Sequence, residues 1–247
     1  MQKISIITVC FNSKATIERT FISLLKQSYK NFEYIIIDGG STDGTLELIE
    51  KYKDFFKKNN IDLKVISEKD KGIYDAMNKG IKNSNGQIIG ILNSDDYYEI
   101  DTLKLISEVL KDKKNIIVHG NLKLTNGKIK KPKKLNPKFL INGMIFYHPT
   151  FFVSRDVYSR IGNFDINYKI AGDFEFTYRA FKQGVQFKYL NKTLSNFSLD
   201  GASYSKAKLG FKECKDVLLK NNENLLKVYY IYFYRIMKDN IFKILRS

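Results

Sequence analysis

Ile88-Ile89-Gly90-Ile91-Leu92-Asn93-Ser94-Asp95-Asp96 passes from an apolar run into turn formers and ends on two adjacent carboxylates. Such a run reads as a buried strand that stops at a loop. In an open α/β sheet, ligands bind just outside the carboxyl ends of the strands. Two acids side by side at that edge repel each other, and a cation shared with a ligand relieves the repulsion. Mg²⁺ or Mn²⁺, held by oxygens and by substrate phosphates, suits the pair. An Asx turn feeding the next helix also suits it, because Asp and Asn cap helices. The segment alone leaves both readings open.

Upstream, strand and helix signals alternate. Ile4–Cys10, Tyr34–Asp38 and Leu63–Ser67 read as strands. Helices are predicted over Ser13–Ser28, Thr45–Lys58 and Ile73–Asn83. Strands separated by helices of this length imply βαβ units and a parallel sheet. Near-continuous apolar strands imply that both faces of the sheet are covered. Downstream the pattern changes. Helices are predicted over Thr102–Lys113 and Gly172–Gln183, and strands over Asn115–His119, Phe151–Val153 and Gln186–Leu190. Asn126-Gly127, between Leu122–Thr125 and Lys128–Lys130, is a hairpin signal.

The 247 residues suffice for one domain or one and a half, with 43% hydrophobic and 28% charged residues as in ordinary globular chains. Cys10 and Cys214 have no metal-like spacing and read as reduced, buried thiols. Two histidines exclude a His-rich metal site. No signal peptide or transmembrane span is predicted. The net charge of +16 lies wholly in residues 101–247, which carry 28 Lys/Arg against 12 Asp/Glu; residues 1–100 are neutral, with 14 of each. A nucleic-acid-binding basic protein is therefore a rival reading. Aromatic residues do not interleave with the lysines of 111–138, as a stacking platform requires, so no nucleic-acid partner is expected.

No GxGxxG follows the first strand and no GxxxxGK[ST] occurs, which argues against a dinucleotide enzyme and a P-loop. Three predicted strand ends, at Asn12, Asp38 and Asp95-Asp96, nonetheless converge on one edge of a parallel sheet. Asp38 there could accept from a base N–H or a ribose hydroxyl, or simply serve the turn before Gly39-Gly40. Glu68–Gly80 runs from a strand end into a helix. Gly72 permits close backbone approach, and the helix N-terminus favours a diphosphate. Asp75 and Asn78 share a helix face. A plain capped helix, with Asp70 as cap, fits the same segment. His148-Pro149-Thr150 precedes a strand, and Ala171-Gly172-Asp173-Phe174-Glu175 opens a helix. Asp173 could be an N-cap or could take a proton from an acceptor hydroxyl.

Taken in order, Ile4–Asn12, Ile35–Thr45 (IIIDGGSTDGT), Ser67–Gly80 (SEKDKGIYDAMNKG) and Leu92–Asp96 (LNSDD) resemble a family 2 glycosyltransferase of the GT-A fold, of the bacterial polysaccharide-assembly type. His148–Phe152 (HPTFF), Ala171–Arg179 (AGDFEFTYR) and Phe197–Tyr204 extend the likeness. The resemblance implies an α/β fold with a Rossmann-like, mostly parallel sheet and a helical C-terminal extension. It divides the chain into a nucleotide-sugar-binding half (1–100), an acceptor-binding half of the same domain (101–204) and a basic aromatic extension (205–247). It implies that Val9, Phe11 and Asp38 line a uracil pocket, with Asn12 beside them, and that Lys71, Gly72 and Asn78 surround the nucleotide. Asp95-Asp96 becomes the DXD-like element, with Asp96 the metal contact and Asp95 nearer the ribose. Asp173 becomes the general base, and His148 and Arg179 lie toward the acceptor. Gly172 stands where the family usually has a second acid. The implied reaction is inverting transfer of a glucose, galactose or N-acetylhexosamine unit from a UDP-sugar to a glycan linked to polyprenyl diphosphate. A sugar nucleotidyltransferase shares the architecture, but its glycine-rich first turn is missing.

Leu225–Arg246 is dense in aromatic and aliphatic residues punctuated by cations. Too charged to span a bilayer, it is expected to lie on an anionic membrane surface, which would place the protein peripherally on the cytoplasmic face. Packing on its own domain and a homodimer contact are the alternatives.

Overall fold

The computed structural model describes residues 2–198 and 207–244. Strand β1 (Ile4–Cys10) is fully buried and lies parallel to β2 (Phe32–Asp38) on one side and β4 (Ile88–Ile91) on the other. β3 (Asp62–Ser67) extends this parallel block beyond β2 and is the half-exposed edge. Beyond β4 the sheet becomes mixed, with β8 (Phe152–Ser154) antiparallel to both β4 and β6 (Ile116–Leu124). β9 (Gln186–Phe197) runs parallel to β6, and β5 (Tyr97–Tyr98) closes the far edge. One sheet therefore carries strands from both ends of the chain.

Alternation along the strands divides the core into two layers. Ile4, Ile6, Tyr34 and Ile36 face α1 (Ile17–Leu25), α2 (Thr45–Lys58) and α4 (Thr102–Val109). Phe21, Tyr34 and Phe56 meet there edge to face or tilted, a geometry that adds to their area burial. Ile7, Val9, Ile35 and Ile89 face α3 (Ile73–Lys82), α5 (Arg155–Ile161) and α6 (Gly172–Lys182). Two further helices, α7 (Ala207–Lys220) and α8 (Leu225–Ile244), reach the second layer through Val217, Leu218 and Val228. Register aligns Cys10 with Asp38 and Asp38 with Ser67, so the carboxyl ends of β1, β2 and β3 form one edge.

The structure departs from the sequence expectations mainly in loops. α1 starts at Ile17 rather than Ser13, because residues 12–14 bond to the turn before α2 instead. Asn12 N donates to Ser41 Oγ at 2.8 Å, Ser13 N to Thr45 Oγ1 at 2.9 Å and Lys14 N to Asp43 Oδ2 at 3.0 Å. The two strand signals in 115–125 are one strand, β6, which pairs across the Asn126-Gly127 turn with β7 (Ile129–Lys130). Gly127 adopts φ +83°, a conformation other residues resist. β9 continues to Phe197, well past Leu190. Residues 199–204, the end of the last family-like segment, and 245–246, the end of the basic aromatic segment, lie outside the described residues.

Candidate active site

At the edge made by β1, β2 and β3, Asp38 is fully buried and turned into its own loop. Gly40 N and Ser41 N each donate to Oδ2 at 3.0 Å, Ser67 Oγ donates to it at 2.7 Å, and Ser41 Oγ bonds Oδ1. Burial alone would raise its pKa, but the Ser41 and Ser67 hydroxyls and the two backbone N–H groups hold it below the ordinary value. The carboxylate thus shapes the floor of the edge rather than its surface. Phe11, by contrast, is 63% exposed, and Val9 is buried beneath it. Asp70, read from sequence as a helix cap, accepts from Gly72 N at 2.8 Å, but Gly72 itself is the N-cap of α3 and no side chain caps the helix. It also crowds Gly39, where a Cβ would come 2.5 Å from Asp70 Oδ2 and 3.4 Å from the Phe11 ring. Phe11, Gly39 and Asp70 therefore meet, a convergence that no local spacing announces.

Lys71 and Gly72 are exposed at the start of α3, and Gly72, at φ +122°, has open space beside it. Asn78 is placed differently from the expectation. Its Nδ2 donates to Phe164 O at 2.8 Å and its Oδ1 accepts from Phe164 N at 3.0 Å. Both ends of the amide brace a distant loop. Arg179 is also a brace: it pairs with Glu175 at 2.8 Å and donates to the carbonyls of Ile161 and Asn163. It does not line the cleft that holds Asp173.

The Asp95-Asp96 turn is held from α1. Arg19 Nη2 donates to Asp95 O and Thr20 Oγ1 to Asp96 O, both at 2.7 Å. Asp95 is partly exposed, whereas Asp96 is fully buried. Asp96 Oδ1 accepts from Ser198 N at 3.2 Å. Burial first, and Asp95 second, push its pKa up to about 8. Asp96 Oδ2 and Asn93 Oδ1 are buried oxygens without a hydrogen-bond partner. Orphaned, all-oxygen donors of this kind fit a hard divalent cation. Among the described residues no group of three or more His, Cys, Asp or Glu forms a complete cage.

Asn93 and Asp173 open onto the same cleft, of about 410 Å³, together with Tyr74, Lys130, Tyr147 and His148. Asp173 sits in the first turn of α6, where its Oδ1 accepts from Phe174 N at 2.7 Å. Burial raises its pKa, while His148 and the Phe174 N–H oppose the shift. Burial lowers that of His148, against the pull of Asp173. A carboxylate whose pKa is raised by burial and which lines a cleft is a candidate general base.

The mostly parallel sheet flanked by helices is the GT-A fold of glycosyltransferases. S. aureus TarS 1-349 in complex with UDP-GlcNAc superposes with a TM-score of 0.71 at 23% identity, over 95% of this chain and 71% of that one. Mannosyltransferase PcManGT from Pyrobaculum calidifontis, in complex with GDP-Man and Mn²⁺, gives 0.68 at 16% identity, over 93% and 68%. Residues 5–183 match the Glycosyl transferase family 2 profile, and the chain belongs to that family. A PGL/p-HBAD biosynthesis glycosyltransferase of Mycobacterium bovis BCG is 26% identical over 197 residues, 78% of this chain and 76% of the relative. Hyaluronan synthase of Pasteurella multocida is 32% identical over 228 residues, 88% of this chain but 22% of that larger protein.

Proposed function

We propose that the protein moves a hexose or N-acetylhexosamine from a UDP-sugar to a hydroxyl of a lipid-linked glycan, with inversion, using Mg²⁺ or Mn²⁺. One observation carries the reading: Asn93, in the turn that leads into Asp95-Asp96, and Asp173, on α6, line one cleft. The nucleotide lies along the β1–β3 edge, over Val9 and Phe11 and beside Asn12, Asp70, Lys71 and Gly72. Asp38 supports that edge from below. Asp95 and Asp96 would hold the cation, which when bound would neutralise the diphosphate as a Lewis acid. Asp173 takes the proton of the acceptor hydroxyl as its oxygen bonds to the anomeric carbon. The bond from that carbon to the diphosphate breaks in the same displacement, so configuration inverts. His148 lies beside Asp173 on the acceptor side.

The lipid-linked part of the reading rests on α8. Leu226, Tyr230, Phe233 and Met237 recur on one stripe of that helix and are 81, 70, 61 and 56% exposed. Exposed apolar area of this extent marks an interaction surface. The second part of the chain is strongly basic, which repels a second copy and attracts an anionic bilayer. Among the described residues no helix is long and apolar enough to cross a membrane. Arg235 bonds Asn142 O, just ahead of Met144 and Phe146 in the cleft wall, so a docked α8 brings the cleft to the lipid surface.

UDP release from UDP-glucose, UDP-galactose and UDP-N-acetylglucosamine with Mn²⁺ tests the activity. One of them is expected to turn over, and Asp173→Asn to bind UDP normally while losing at least about a hundredfold in transfer, within the range of general-base contributions. Equal loss of binding and transfer would make Asp173 structural.

A further inference from the structure

Gly172 faces the ring of Tyr74. A Cβ at 172 would lie 2.7 Å from Tyr74 Cε2 and 2.8 Å from Cδ2 and Cζ. The ring is itself fixed by stacking on Phe164 at 5.7 Å. Its hydroxyl donates to Ile170 O at 2.7 Å and lies 3.5 Å from Asp173 Oδ1. The same turn is gripped from its other side by α7. The buried Glu213 carboxylate accepts from Lys169 N and Ile170 N at 2.9 Å and from Ala171 N at 2.8 Å. A single carboxylate taking three successive backbone N–H groups is a strong, charge-assisted anchor. It also places negative charge at the N-terminus of α6, which the helix dipole favours. Glu213 lies beyond residues 5–183, the part that matches the family profile.

We propose that Tyr74 and Glu213 are positioning residues that clamp segment 169–172 from two sides and so aim the Asp173 carboxylate into the cleft. Tyr74 fills the space beside Gly172, and α7 supplies a carboxylate to the same turn from a remote part of the chain. The C-terminal extension is then a working part of the active site as well as a surface. This inference rests on Asp173 acting as the base. Small displacements of such a group are costly, about a hundredfold in rate for about 1 Å.

Tyr74→Phe keeps the ring and removes only the hydroxyl. Steady-state UDP release from the UDP-sugar that turns over fastest in the panel above is expected to show kcat lowered about ten- to hundredfold. KM and calorimetric UDP affinity should stay within about twofold. The acid limb of the pH profile should move to higher pH, because the hydroxyl favours the ionised carboxylate. Glu213→Gln should lower kcat in the same sense. In an Asp173→Asn background neither change should cost further activity, since both act through Asp173. Wild-type kcat and pH profile in Tyr74→Phe would overturn the clamp even if Glu213→Gln failed to fold. If Asp173→Asn itself retained transfer, the assignment of the base would fall instead.

Discussion

Buried carboxylates and imidazoles in this protein take opposite roles according to what meets them. Asp38 is saturated by donors and stays ionised, whereas Asp173 has few donors and is pushed toward neutrality. His119 meets none at all: it is fully buried, both ring nitrogens lack partners, and Phe146 and Tyr189 pack against it at 4.2 and 5.5 Å. Burial lowers its pKa from 6.5 to about 4. Between those values the unfolded chain binds a proton that the folded chain refuses. Stability should therefore fall as pH drops from about 7 toward 4, by at most about 3 kcal/mol. Urea unfolding at pH 7 and pH 5 should show the drop in the wild type and a smaller one in His119→Leu. Equal drops in both would acquit His119. The sequence exposed Asp95, Asp96 and Asp173 because each follows a readable strand or helix boundary. It hid Tyr74 and Glu213, whose partners are about a hundred and about forty residues away, and gave Asp70 only a capping role.

Elements were legible where a buried period was strong. β1 and α2 occur with the boundaries the sequence predicts, since both faces of β1 are buried and α2 has a clear apolar stripe. α5, seven residues long, and the two-residue β5 carry too little pattern to be seen and exist through tertiary contacts, whereas β7 is announced by the Asn126-Gly127 turn. α8 was legible in composition, but its partner was not. If it docks on lipid, replacing Tyr230, Phe233 and Met237 together by Ser should weaken sedimentation with phosphatidylglycerol-containing vesicles at least about tenfold, given about 1–2 kcal/mol for each large side chain lost. Urea stability should change little, because all three are exposed. High salt should weaken wild-type binding as well. Unchanged sedimentation of the variant would refute lipid docking, and loss of a dimer in its place would identify a second copy as the occupant.

At the scale of the molecule, the proposed site is assembled from distant parts of the chain. The β1–β3 edge comes from the first hundred residues, whereas α6, α7 and His148, in the turn before β8, come from the rest, and β8 is the strand that joins the parallel block to the mixed one. A donor that lies along the edge and reaches Asp173 can bind only when both parts are folded together, so it should stabilise the whole chain. A UDP concentration about a hundred times its Kd adds about 2.7 kcal/mol, or roughly 5–10 °C in Tm for a chain of this size. The cation is expected at a turn with two orphaned oxygens, Asn93 Oδ1 and Asp96 Oδ2. Much of the UDP-induced shift should therefore require Mn²⁺ and vanish with EDTA. Asp96→Asn keeps the shape of the turn but has no proton to give up to a cation, and should lose the Mn²⁺-dependent part while unfolding at a Tm close to the wild type without ligand. Asp173→Asn should keep the full Mn²⁺–UDP shift, because the proposed base acts on the acceptor rather than on the diphosphate. A Mn²⁺-dependent shift surviving intact in both Asp95→Asn and Asp96→Asn would move the cation away from this turn, and with it the side of the cleft from which the diphosphate departs.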